Sequence, residues 1–100
     1  MLHGYGGHRL RVDLSSKRMT REKTDPGFMQ EVIGGRGLNS RTLFEELDRD
    51  IDPLSEENLL LIGVGPVTGS LFSTSAYMTI SGKSPSTGFM DNPTSNFCFL

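Results

Sequence analysis

Residues 52–70 read DPLSEENLLLIGVGPVTGS, and the fold class turns on what the six apolar letters from Leu59 to Val64 form. A short continuous apolar run bounded by turn chemistry, Asp52-Pro53-Leu54-Ser55 before it and Gly65-Pro66 after it, reads as a strand buried on both faces. Downstream, residues 77–81 alternate: Tyr77, Thr79 and Ser81 point one way, Met78 and Ile80 the other, which makes a second strand with one side carrying only hydroxyls. Gly82 to Asn96 is dense in the residues of specific turns. Upstream, residues 38–48 form a helix with Leu43, Phe44 and Leu47 on one side and Arg41 four residues before Glu45 on the other. An earlier helix opens at Asp25-Pro26, a good N-cap followed by a good first position, carries Phe28, Met29, Val32 and Ile33 as its apolar face, and stops at Gly34-Gly35. Residues 8–14 alternate Leu10, Val12 and Leu14 against Arg9, Arg11 and Asp13, the period of a strand with one buried face. Ser15-Ser16-Lys17 turns it back into a polar edge strand over residues 18–23. The expectation is an α+β fold of mostly antiparallel β-sheets with two short helices, one domain over residues 1–100.

The 100 residues carry a formal charge of -2 and no basic run, which argues against nucleic acid as a partner. No stretch has the roughly twenty apolar residues that span a bilayer, and the start lacks a signal-peptide pattern, so no membrane association and a cytoplasmic location are expected. Cys98 is the single cysteine, which leaves no disulfide and no CxxC metal pair. From residue 59 to residue 100 the only charged side chains are Lys83 and Asp91. A segment so neutral suits enclosure by protein or by a ligand. The chain also stops within the apolar run Asn96-Phe97-Cys98-Phe99-Leu100, and reads as cut off there.

Chemistry-bearing residues are sparse. Gly82-Lys83-Ser84 ends like a phosphate-binding loop, but Tyr77 stands where that loop needs its first glycine, and Pro85 opposes a helix starting at the lysine. His3 and His8 lack further metal ligands, and the acids from Glu45 to Asp52 read as a solvated face. Ser70, Ser73, Ser75 and Ser84 have no nucleophile elbow around them. Gly34-Gly35-Arg36-Gly37 resembles part of a dinucleotide fingerprint but follows a helix, so a helix stop with a tight reversal explains it. Arg36, fixed between glycines, can serve either packing or a ligand.

Four blocks together resemble one family. GYGGHRLRVDLSSKRM (residues 4–19), IGGRGLNSRTLFEEL (33–47), DPLSEENLLLIGVGPVTGS (52–70) and GKSPSTG (82–88) are similar, in order and spacing, to the N-terminal domain of the tungsten-dependent aldehyde ferredoxin oxidoreductases. The resemblance implies a β-rich base for a tungsten bis-molybdopterin cofactor, on which an aldehyde becomes a carboxylic acid while a four-iron cluster passes electrons to ferredoxin. It also implies that the cluster and the acid–base residues belong to later domains absent from this sequence, so that the chain alone is inactive and its partners are the remaining domains or a companion subunit. No catalytic residue is assigned.

Within the matched region the family's Asn-Ser-Gly-Gly loop corresponds to Thr94-Ser95-Asn96-Phe97, which makes Ser95, with Thr94 and Asn96, the implied cofactor contacts. Phe97 in place of glycine obstructs close approach, and a family arginine falls on Ala76 or Tyr77. The alternative is a non-enzymatic protein-interaction module that kept the fold, lost the cofactor and associates, as a homo-oligomer or with another protein, through its neutral C-terminal half.

Overall fold

The computed structural model describes residues 4–68, 70–71 and 76–96. His3, Ser73, Ser75, Phe97 and Cys98, with the apolar run that ends the chain, lie outside the described residues. In chain order the elements are β1 (His8–Asp13), β2 (Arg18–Lys23), α1 (Pro26–Glu31), α2 (Gly35–Glu46), β3 (Leu61–Gly63), β4 (Tyr77–Lys83), β5 (Met90–Asp91) and β6 (Thr94–Asn96). All strand pairs are antiparallel, and the α+β class holds. No helix among the described residues is long and apolar enough to cross a membrane.

β1 and β2 form a separate hairpin with His8 opposite Lys23 and Asp13 opposite Arg18. The Asp13 carboxylate accepts the backbone N–H of Ser15 at 3.0 Å and closes the turn. In the second sheet β4 is central: β3 flanks it through Leu61–Ser81 and Gly63–Thr79, β6 pairs with its first half and β5 with its last two residues. α2 packs across β3 and β4.

The buried apolar face expected of the hairpin is not there: every residue of β1 is exposed. Leu10, Val12 and Met19 stand 66%, 47% and 71% exposed. Arg9 and Arg11 turn toward the domain instead, sharing Glu22 across the hairpin and Glu46 at the end of α2; the Arg11 Nη2–Glu46 Oε1 distance is 2.7 Å. The Arg9 hydrogen bond, with the charge of Arg11, holds the Glu22 carboxyl below its ordinary range. A lowered carboxyl pKa contributes stability that is present above the unfolded value of about 4.3 and is lost as pH falls through the folded value. Acidification through the folded value is therefore expected to loosen the Glu22 ion pairs that cross the hairpin, read as movement of the Arg9 Nε–H resonance toward its free-arginine position. A resonance unmoved down to pH 2 would contradict it.

Asp25 caps α1, its carboxylate accepting the Gly27 N–H at 3.1 Å. The helix is shorter than its apolar pattern implies. Val32 is already extended (φ −127°, ψ 148°), so Val32 and Ile33 lie beyond it. Gly34 and Gly35 do not stop α1, which has already ended at Glu31: Gly34 caps α2 and Gly35 begins it, three residues ahead of the start expected at Leu38. The face of α2 turned inward is Asn39, Thr42 and Leu43, while Phe44 is 86% exposed.

The apolar run of β3 is also open on one side, since Leu60, Ile62 and Val64 are exposed and only the alternate residues face α2. The hydroxyl face of β4 is the buried one, with Thr79 and Ser81 almost inaccessible. Buried apolar side chains among the described residues reduce to Met29, Leu43 and Ile51. This is a small and partly polar core.

Lys83 has a structural task. Its Nζ donates to the carbonyls of Arg49 at 2.8 Å and Ile51 at 2.6 Å, tying the end of β4 to the chain that leaves α2. Asn58 clamps the same strand end, its Nδ2 donating to Pro53 O at 2.8 Å and Lys83 O at 3.1 Å. Hydrogen bonds from a charged donor contribute about 1.5–3 kcal/mol, so Lys83→Met is expected to lower stability by about 2 kcal/mol, read as a lower urea midpoint with unchanged slope. A lysine held free for an anion would leave the midpoint unchanged or raised.

Candidate functional site

Three glycine-containing segments, far apart in sequence, meet at one end of the second sheet. Gly34 has φ 55° and ψ −164°, and a methyl group there would sit 2.7 Å from the Val64 carbonyl oxygen and 3.2 Å from the Gly65 Cα, with the Tyr5 ring at 3.5 Å. Gly35 N–H donates to Val64 O at 3.0 Å. The backbone at Gly4 lies equally close to Pro66. Beyond β3 the chain turns at once, with Gly65 N–H donating to Thr68 Oγ1 at 3.0 Å. The result seats the first turn of α2 against the end of β3, backbone to backbone.

β6 completes this end. Its register sets Thr94 opposite Thr79, Ser95 opposite Met78 and Asn96 opposite Tyr77. Arg36, in the first turn of α2, reaches across so that Nη2 lies 3.4 Å from both Asn92 O and Thr94 Oγ1. Thr94 is exposed.

A buried polar chain holds these parts together from behind. Asn39 Nδ2 donates to Thr79 O and Ser81 Oγ, each at 3.1 Å, and the Ser81 hydroxyl donates to Asn92 Oδ1 at 2.5 Å. Pro93 O accepts from Ile80 N–H at 3.0 Å. Gly63 makes room for this chain, because a methyl group there would lie 2.6 Å from Asn39 Oδ1. Helix, central strand and the loop entering β6 are therefore cross-linked by one set of hydrogen bonds.

The implied contacts Thr94, Ser95 and Asn96 thus sit on one short strand beside Arg36, in a stretch whose composition reads as turns. Ala76 immediately precedes β4. The roles of Asn39, Asn58 and Asn92 are not visible in the sequence reading. One signal was present: asparagine is a weak helix former, and an asparagine on the inward side of α2 needs a polar partner.

Chemically, this end offers one guanidinium, one exposed hydroxyl, backbone groups on the outer edge of β6 and the N–H groups of Arg36 and Gly37 in the first turn of α2, that of Gly35 being taken by Val64 O. Asp91, the acid nearest along the chain, is turned back onto the Asn92 N–H at 2.9 Å. Donor-rich, weakly cationic surroundings suit a heterocycle bearing phosphate and ring acceptors. Among the described residues no group of three or more His, Cys, Asp and Glu side chains converges, so a metal here would rely on donor atoms brought by its own ligand. A different depression, about 350 Å³, lies at the far end of α2 among Leu43, Phe44, Leu47, Phe89 and Met90. Its lining also holds Asp48 and Arg49, opposite charges side by side, while Lys83 is committed to two carbonyls, so the glycine-rich end is the better candidate for an anionic ligand.

The chain matches the profile of the aldehyde ferredoxin oxidoreductase N-terminal domain family over residues 9–98. It is 38% identical to the tungsten-containing aldehyde ferredoxin oxidoreductase of Pyrococcus furiosus over 89 residues, covering 89% of this chain and 15% of that protein. It is 37% identical over 87 residues to an aliphatic sulfonate oxidoreductase, WOR-like subunit, of the same organism, covering 84% of this chain and 14% of that one. Among solved structures it is similar to a chain of the active-site complex BamBC of benzoyl coenzyme A reductase in complex with 1,5-dienoyl-CoA, with a TM-score of 0.90 and 30% identity over 94% of this chain and 14% of that one. The chain spans about one seventh of the length of each of these relatives.

Proposed function

Because this chain belongs to the aldehyde ferredoxin oxidoreductase N-terminal domain family, we propose that its glycine-rich end supports a tungsten bis-molybdopterin cofactor inside a larger oxidoreductase. The observation that carries this reading is the meeting of residues 4–5, 34–36 and 64–66 beside β6. Three of the four blocks of the family resemblance contribute backbone to that one place, and the fourth, around Lys83, braces the strand that β6 pairs with.

Arg36 and Thr94 would face the cofactor, with the outward backbone groups of Thr94 and Asn96 offering edge donors and acceptors and Ser95 between them. When bound, the cofactor supplies two-electron redox chemistry at the metal, in the aldehyde oxidoreductases the conversion of an aldehyde and water to a carboxylic acid. The chain's own part is to bind, orient and shield. An iron–sulfur cluster held by other segments of the enzyme would carry the electrons to ferredoxin. The relatives' names cover aldehyde, sulfonate and benzoyl coenzyme A chemistry, which supports a shared seat here and substrate selection elsewhere.

The partners are the remaining domains or a companion subunit. The outward face of the hairpin, with Leu10, Val12 and Met19, and that of β3, with Leu60, Ile62 and Val64, are apolar and exposed, as surfaces covered by a partner would be. Purification from a tungstate-supplied host, followed by elemental analysis and pterin fluorescence after oxidation, tests the cofactor reading. Tungsten or molybdenum accompanied by pterin is expected; a chain carrying neither would favour the interaction module.

A further inference from the structure

We propose that Asn92 is a positioning residue of this seat, locking the start of β6 to the N-terminal half of α2. The loop between β5 and β6 is a single Asn-Pro step, so its geometry decides where β6 begins. The helix holds Asn92 through two separate groups. Its side-chain oxygen accepts from the Ser81 hydroxyl, which Asn39 of α2 in turn engages, and its backbone carbonyl accepts from Arg36, one turn earlier on the same helix. Ser81, at 1% exposure, has no access to solvent that could substitute for either partner. Pro93 gives up its own N–H but keeps a carbonyl that takes Ile80 N–H, so the step is pinned to β4 as well.

Thr94 follows directly, with its hydroxyl on the same guanidinium. A shift of Asn92 would therefore carry Thr94, Ser95 and Asn96 away from the first turn of α2. This lock is a property of the chain itself; that it serves a cofactor rests on the reading given above.

Two substitutions test the acceptor: Asn92→Ala removes it with the rest of the amide, and Asn92→Asp, of the same shape, keeps an oxygen for Ser81. In Asn92→Ala the amide of Ser95, the β6 N–H that faces β4, is expected to exchange about tenfold faster, with the urea midpoint little changed, as for a local opening. Asn92→Asp is expected to restore protection. Unchanged exchange in Asn92→Ala, or equal loss in Asn92→Asp, would overturn the lock. Arg36→Ala, on an exposed residue, gives the same readout if Asn92→Ala fails to fold: faster exchange at Ser95 supports the proposal and unchanged exchange defeats it.

Tungsten and pterin retention is the second readout. Asn92→Ala is expected to retain about a tenth of the wild-type content and Asn92→Asp most of it. Retention equal to wild type despite a loosened β6 would refute the positioning role. A wild-type chain that binds no cofactor would defeat the cofactor reading, while the exchange results still decide the lock.

Discussion

Replacing Asn39 by leucine is expected to destabilise the fold by about 3 kcal/mol, although leucine has nearly the same volume and is the better helix former. Asn39 is 4% exposed, and its amide supplies two donors, one to Thr79 O and one to Ser81 Oγ. Leucine removes both and leaves the two acceptors buried, where an unsatisfied group costs about 1–3 kcal/mol. The apolar gain is small, because the neighbours are Thr42, Thr79 and Ser81 as well as Leu43. Urea unfolding is the measurement. A midpoint at or above wild type would mean that the polar chain is not what joins α2 to β4.

The second large effect is expected at Gly34. Gly34→Ala adds a side chain at φ 55°, which costs about 1–2 kcal/mol on its own. It also drives a methyl group to 2.7 Å from the Val64 carbonyl, a backbone atom that cannot swing aside. Together these predict a loss of about 3–4 kcal/mol, with the first turn of α2 displaced from the end of β3. Gly37→Ala is the internal control: the new methyl group would meet Val32 Cβ at 3.6 Å, an ordinary contact, inside a helix that alanine favours by up to about 1 kcal/mol. Opposite signs at two glycines three residues apart are expected. Equal effects would show that close approach at Gly34 is not the constraint.

The sequence patterns located most elements because they act over short spans. Alternation found β1 and β4, Asp25-Pro26 found the start of α1, and Gly65-Pro66 found the end of β3. What they could not reveal was which face each element buries. The inward turn of Arg9 and Arg11 depends on Glu46, more than thirty residues away, and apolar patterning alone favours the opposite face. In the same way, Leu60, Ile62 and Val64 look like core residues until the single covering helix is seen to reach only one side of β3.

At the site, the glycines and Arg36 stand out in the sequence, but their meeting does not. Gly4, Gly34 and Gly65 lie about thirty residues apart from one to the next, and no local rule brings them together. The family resemblance supplied Thr94, Ser95 and Asn96; the structure adds that they form a paired strand, where the composition reads as turns. Lys83 illustrates the opposite case, since its glycine-serine setting looks like phosphate chemistry while its ammonium closes two backbone carbonyls.

Amide exchange with and without added tungstopterin, released anaerobically from a denatured holoenzyme, tests the cofactor seat most directly. The account predicts slowed exchange confined to the first turn of α2 and to residues 92–96. Slowing around Phe44 and Phe89 instead, with those two segments unchanged, would contradict it.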